Sequence, residues 1–235
     1  MSVFTRNEKL HVASLKELRS SEMIEVGFDE LGELKESPEE IPPLHEFKEE
    51  WRGAVLGKDI LRHALRFSAV SSCWWSIGED SPVGGEFRVI HLYDVLLRDP
   101  PPVALSGASE SEYKLFRDLR MIDHTPYAGA GMMVYLRIRP GSGEFELWYM
   151  DVDLIGSVQY PRGYARMDLS YCDYLDALLI TKGTFGWQYL YTDVSLRDEI
   201  FRAKVDRLRG MLDIFPKIFP EYDYSPLVER LAERL

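Results

Sequence analysis

Apolar residues recur along the chain at two spacings, and the switch between them marks its elements. Leu44, Phe47 and Trp51 lie three and four apart, the stripe of a short amphipathic helix, and Leu56, Ile60, Leu61, Ala64 and Leu65 suggest a second. From Ala69 to Ile77 the texture turns to strand formers, ending at the turn cluster Gly78-Glu-Asp-Ser-Pro82, and Phe87 to Leu92 reads as a further strand. Asp99-Pro-Pro-Pro-Val103 is a hard break that reads as a polyproline segment on the surface. Beyond it, Tyr113, Phe116, Leu119 and Arg120 sit at helical spacing and predict a helix over Glu110 to Met121.

The clearest β pattern follows. Val134, Leu136 and Ile138 alternate with Tyr135, Arg137 and Arg139; after Pro140-Gly-Ser-Gly143, Phe145, Leu147 and Tyr149 alternate with Glu144, Glu146 and Trp148. Period-two patterning on both sides of a Gly-rich loop predicts an antiparallel hairpin with one buried face. Its other face is expected to be exposed, setting Arg137 and Arg139 near Glu144 and Glu146.

The C-terminal third reads as helical. Ser170-x-x-Asp173 resembles a capping box before Tyr171, Tyr174, Leu175, Leu178 and Leu179, and Lys182-Gly183 closes that helix. Ser195-x-x-Asp198 has the same form and is expected to open a helix through Phe201, Val205, Leu208, Leu212 and Phe215, stopped by Pro216 and Pro220. Leu227, Val228, Leu231 and Leu235 make a last short helix. No internal repeat or low-complexity linker divides the 235 residues. The expectation is one α+β domain over residues 1–235 with an elaborated acidic N-terminal region.

Charge changes the picture of partners. Lys and Arg total 28 against 39 Asp and Glu, a formal net charge of −11. That balance disfavours nucleic acid and anionic membrane, whose phosphates call for concentrated Lys and Arg. Eleven of the acids fall between Glu22 and Glu50, against only Lys35 and Lys48. Such a run is usually a solvated face, and its sharper meaning is a patch that meets a basic partner. Within it, Ser37-Pro38-Glu39-Glu40 fits a helix start, which Ile41-Pro42-Pro43 interrupts.

The start of the chain lacks the apolar core of a signal peptide, and no stretch approaches the roughly 18 apolar residues of a membrane span. Cys73 and Cys172 stand outside any CxxC or metal-ligand spacing and read as buried free thiols, so the expected location is cytoplasmic.

Candidate chemistry is sparse. Gly129-x-Gly131 and Gly141-x-Gly143 lack the third glycine of a dinucleotide loop, and no Walker, zinc-protease or nucleophile-elbow string occurs. His91 with Asp94 has the spacing of a base and its orienting carboxylate, but no nucleophile or metal is in view. Asp151-x-Asp153 could present two hard oxygens from one strand face to Mg²⁺ or Ca²⁺; more often such a pair is a charged strand end. Trp187, Tyr189 and Tyr191, alternating after Phe185, offer a ligand-stacking platform or, more commonly, a core edge, with Lys182 and Gln188 as polar handles.

Leu147-Trp-Tyr-Met-Asp-Val-Asp153, Tyr171-Cys-Asp-Tyr-Leu-Asp-Ala-Leu-Leu179, Thr181 to Tyr191 and Phe215-Pro-Lys-Ile-Phe-Pro220 together resemble the SUKH superfamily, best over residues 145–222. Ile41-Pro-Pro-Leu-His-Glu-Phe47 is similar to that family's early proline-bearing helix start. The family contains fungal cell-wall-synthesis regulators and bacterial immunity proteins that neutralise toxins. The resemblance implies an α+β fold, a mainly antiparallel sheet flanked by helices with a helical C-terminal third. It also implies a protein that binds another protein without catalysis or cofactor. On that reading Glu39, Glu40, Glu46, Glu49 and Glu50 are expected at the rim of an interface with a basic toxin domain. The alternative is a small-ligand-binding protein or metal-dependent enzyme using Trp187, Tyr189 and Tyr191 with Asp151 and Asp153.

Overall fold

Thr5 and Glu8 start the structure with a reciprocal cap: the Thr5 hydroxyl accepts from the Glu8 amide, and the Glu8 carboxylate accepts from the Thr5 amide at 2.8 Å. They open helix α1 (Arg6–Ser20), which precedes strand β1 (Ile24–Leu31). The computed structural model describes residues 4–35, 42–78, 83–102, 107–138, 145–156 and 159–235. After β1 come helix α2 (Lys58–His63), strands β2 (Ala69–Ser76) and β3 (Gly84–Ile90), and helices α3 (Leu92–Leu96) and α4 (Glu110–Asp118). Strands β4 (Leu119–His124), β5 (Met133–Ile138), β6 (Phe145–Met150) and β7 (Tyr164–Met167) follow, then helices α5 (Tyr171–Thr181), α6 (Arg202–Ile218) and α7 (Ser225–Arg234).

The fold is α+β, as expected. Two antiparallel sheets, ordered β1-β2-β3 and β4-β5-β6-β7, are flanked by helices, and the C-terminal portion is helical. One continuous apolar core joins them: Trp74, Phe87 and Val89 from the first sheet, Leu136, Leu147 and Tyr149 from the second, and Leu175, Leu208 and Leu231 from the helices.

The β5–β6 hairpin forms in the register its pattern dictates, with Leu136 opposite Leu147 and Arg137 opposite Glu146. The Arg137 guanidinium meets the Glu146 carboxylate at 3.3 Å; Arg139 and Glu144 lie outside the described residues. The supposedly exposed face is instead largely covered. Helix α4 lays Phe116 over Tyr135 and Tyr164, and Asp118 draws in Lys48 at 2.7 Å and Arg137 at 3.5 Å.

Two buried carboxylates join the sheets. Asp123 on β4 accepts the Arg88 backbone N–H of β3 at 2.6 Å and the Tyr174 hydroxyl of α5 at 2.6 Å. Glu86 on β3 accepts the amides of Tyr127 and Ala128 at 2.6 and 2.8 Å. Buried ladder donors need acceptors, and here side chains supply them where strand pairing stops.

The turn after α5 closes on the same edge. Lys182 and Gly183 both adopt positive φ (50° and 71°), and the Gly183 carbonyl accepts the Glu86 amide at 3.0 Å. A Cβ on Gly85 would stand 2.7 Å from that carbonyl oxygen, and one on Gly183 would stand 2.6 Å from the Phe87 ring. Both positions therefore need glycine.

Several elements differ from the sequence reading. Leu44 and Trp51 lie on two short 3-10 turns, Leu44–Glu46 and Glu49–Trp51, with Phe47 capping the first, because Lys48 between them is extended at φ −155°. The predicted 110–121 helix ends at Asp118, and its last residues begin β4 without a linker. Ser195 and Asp198 do not cap a helix; a 3-10 turn at Glu199–Phe201 leads into α6. Pro216 is tolerated inside α6 because it sits in the last turn, where one lost hydrogen bond is all it removes. The Ser37-Pro38 helix start lies outside the described residues.

Candidate functional site

The aromatic row does not form a platform. Trp187 and Tyr189 are 0% exposed and Tyr191 is 7% exposed, and the segment Trp187–Tyr191 is a 3-10 helix instead of a strand, entered through Gly186 at φ +86°. Trp187 packs on Tyr174 (ring centroids 5.1 Å), and Tyr189 meets Tyr149 and Phe201 edge-on at 5.1 and 5.3 Å. With these rings buried against other rings and against Lys204 and Arg230, the row is core, which corrects the ligand-platform expectation.

Asp151 and Asp153 do converge, but on an ammonium group. Asp151 caps a 3-10 turn at Val152–Leu154 just past β6, and Lys204 of α6 reaches its Oδ2 at 2.7 Å and also contacts Asp153. The remaining Asp151 oxygen capacity goes to the Tyr149 hydroxyl (3.0 Å) and the Asp153 amide (2.9 Å). Lys204 supplies the charge that a cation would bring, so Asp151 and Lys204 form a buried ion pair with the exposed Asp153 at its edge, correcting the metal-binding alternative. Burial, reinforced by the Asp151 charge, pushes the Tyr149 and Tyr189 phenols far above their ordinary range. Among the described residues no group of three or more His, Cys, Asp and Glu is placed to hold a metal ion.

Lys182, a suggested handle for that row, turns the other way. Its buried Nζ donates to Glu17 at 2.5 Å, Ser14 at 2.9 Å and the Tyr222 hydroxyl at 3.1 Å, and it lies 4.4 Å from the Tyr222 ring centre. Burial and the Lys182 charge hold the neighbouring His11 down to about 3. His91 stands 4.0 Å from Asp94, which is engaged by Lys35 at 2.5 Å; burial lowers the His91 pKa.

Of the five acids expected at a partner rim, Glu39, Glu40 and the Glu50 side chain lie outside the described residues. Glu46 is exposed. Glu49 is also exposed but is held by Arg52 through bonds of 2.6 and 2.7 Å. The first half of the acidic run takes a different form: Glu25, Asp29 and Glu30 belong to β1, an edge strand of the first sheet, and Glu22 and Glu33 are exposed beside it. Asp29 pairs with Arg19 of α1, and Glu30 pairs with Arg88 at 3.0 Å.

Two surface features were not signalled by any motif. A cavity of about 580 Å³ opens between α4, the outer face of the second sheet and the C-terminal end of α7. Phe116, Trp148, Tyr160 and Tyr164 give it aromatic walls, and Arg166 and Arg234 are among its polar groups. At one end of the first sheet, Trp75 of β2, the flanking Met23 and Ile77, and Tyr127 from the β4–β5 connection are 40%, 47%, 56% and 49% exposed. Both cysteines are free, with Cys73 buried and Cys172 partly so, and burial pushes both thiols up to about 11. No helix among the described residues is long and apolar enough to cross a membrane. In comparisons with known proteins, no family model matches the chain, and neither a curated protein nor a solved structure matches it.

Proposed function

We propose that the chain is a non-enzymatic protein-binding protein, an immunity-type inhibitor that docks on a basic toxin domain and neutralises it in the bacterial cytoplasm. The observation that carries this reading is the placement of the acidic run: Glu22, Glu25, Glu33 and Glu46 are exposed, on a chain of net charge −11. Exposed acids of one sign steer a basic partner and raise its association rate by one or more orders of magnitude at low salt. The α+β architecture also agrees with what the resemblance to the SUKH superfamily implies.

The test uses the chain as bait in host extract at about 50 and 300 mM salt, a range over which screening shortens the Debye length by a factor of about 2.5. The reading expects a basic protein retained in stoichiometric amount at low salt and depleted at high salt. Nothing captured at low salt, or capture of an acidic protein indifferent to salt, would overturn it.

A second reading is favoured by the cavity. At about 580 Å³, with four aromatic walls, it falls within the usual range of small-molecule sites, roughly 300–1,000 Å³. A small-ligand-binding role would place the ligand there, and a thermal-shift screen separates it from the first reading. Stabilisation lost in Trp148→Ala supports a ligand, and no stabilising compound counts against it.

A further inference from the structure

Building on the protein-binding reading above, we infer that the exposed corner of the first sheet around Trp75 is the docking surface, with Trp75 as the anchor for a basic protein. Strand alternation puts Trp75 and its cross-strand partner Glu25 on the side facing away from Trp74 and the core. Phe28, past the irregularity at Val26/Phe28, pairs with Cys73 on that same face, and Tyr127 stacks on it with ring centroids 4.0 Å apart. At the strand ends, the Met23 carbonyl accepts the Ile77 amide at 2.8 Å, which sets those two exposed side chains beside Trp75.

The Trp75 ring is held in place. Gly84 lies directly opposite, and a Cβ there would stand 2.6 Å from the ring, so the indole rests on bare backbone. Phe185 supports it at 5.5 Å between centroids, and Arg207 lies over Phe185 at 5.3 Å. An indole that is fixed before binding and still 40% exposed has little rotamer freedom left to lose when a partner covers it. Large aromatic anchors of this kind carry most of the energy in protein interfaces.

Charge selects the partner. Glu22 and Glu25 are exposed at the edge of the strip, Glu30 is balanced by Arg88, and Arg207 is the cation at the Phe185 end. An Arg of the partner laid over the Trp75 face reaches Glu25 as well, combining cation–π and ionic attraction at one point. A second copy of this chain would bring Glu25 against like charge, with −11 on each molecule.

The experiment sorts a yeast-displayed library of a small helical scaffold, with its surface randomised, against the full chain in about 50 mM salt. Sorted binders are expected to carry Arg or Lys beside apolar residues, and to lose at least tenfold in affinity toward Trp75→Ala and toward Ile77→Ser. Gly84→Ala, which displaces the ring without removing it, is expected to weaken them several-fold, with each variant's fold checked by thermal melting. Basic binders that keep their affinity for both Trp75→Ala and Ile77→Ser would overturn this docking face while leaving the protein-binding reading standing. A library that yields no basic binder would overturn both. Self-association of the wild type, abolished in Ile77→Ser, would assign the face to a second copy and overturn the basic partner.

Discussion

Asp123 gives a prediction whose size follows from the structure. Its carboxyl is 3% exposed, and burial, with the nearby Glu86 charge adding to it, raises its pKa from 3.8 to about 6, although bonds from Tyr174 and the Arg88 and His124 amides oppose the rise. A group raised in the folded state contributes stability that is fully present below pH 3.8 and is lost as pH climbs through 6. Two units correspond to about 3 kcal/mol, at about 1.4 kcal/mol per unit. Asp123→Asn removes that titration and keeps an oxygen for the Arg88 N–H, while the Tyr174 hydroxyl can rotate to accept from the new amide. The wild type also carries His11 and His124, lowered to about 3 and 4, whose burial works in the opposite sense by costing stability as pH falls below 6.5. They cancel in the difference between the two proteins. Urea unfolding at pH 4, 5, 6 and 7 should therefore show the Asn variant gaining about 2–2.5 kcal/mol on the wild type between pH 4 and 7, the rest of the effect lying below pH 4. A difference that stays flat across this range would refute the burial argument.

Three other outcomes follow from the same geometry. Lys204→Met leaves Asp151 buried without its cation and should cost about 3–5 kcal/mol in chemical denaturation, while adding Asp151→Asn should restore part of it; additive losses would mean the two are not coupled. Gly183→Ala must hold φ +71° and push Phe87 aside, so a loss of at least about 1–3 kcal/mol is expected, and an unchanged midpoint would contradict the close approach. With both thiols near 11, two units above their ordinary 9, Cys73 and Cys172 should alkylate about 100-fold more slowly at pH 8 in the native protein than in urea, and equal rates would show that they are not buried.

How far the sequence revealed the fold depended on where polar residues fell. The β5–β6 hairpin was legible because Val134, Leu136, Ile138 and Leu147 keep strict alternation, and α5 was legible because its capping box and apolar stripe agree. Helix α1 was hidden because its buried positions are Asn7, Glu8, His11 and Ser14 as well as Leu15 and Leu18, so no apolar period marks it. Glu8 can be buried there only because Arg66, 58 positions away, grips both of its oxygens at 2.7 Å. Strand β1 was masked by its acids and by the irregularity between Val26 and Phe28, which shifts the alternation midway. The candidate sites misled for a related reason. The spacing of Asp151 and Asp153 shows two carboxylates near each other, but not that Lys204 arrives from a helix 51 residues beyond Asp153. Trp75 sits in the sequence beside the fully buried Trp74, and only the pairing with Gly84 and Glu25 sets the two apart.

The measurement that bears most directly on the protein-binding account is a titration of activity. The basic protein captured by this chain at low salt is purified alone, its toxic activity is assayed, and the chain is added in increments. The account predicts that activity falls to background at one equivalent, and that the inhibition weakens as salt rises. Full activity in the presence of excess chain would contradict it.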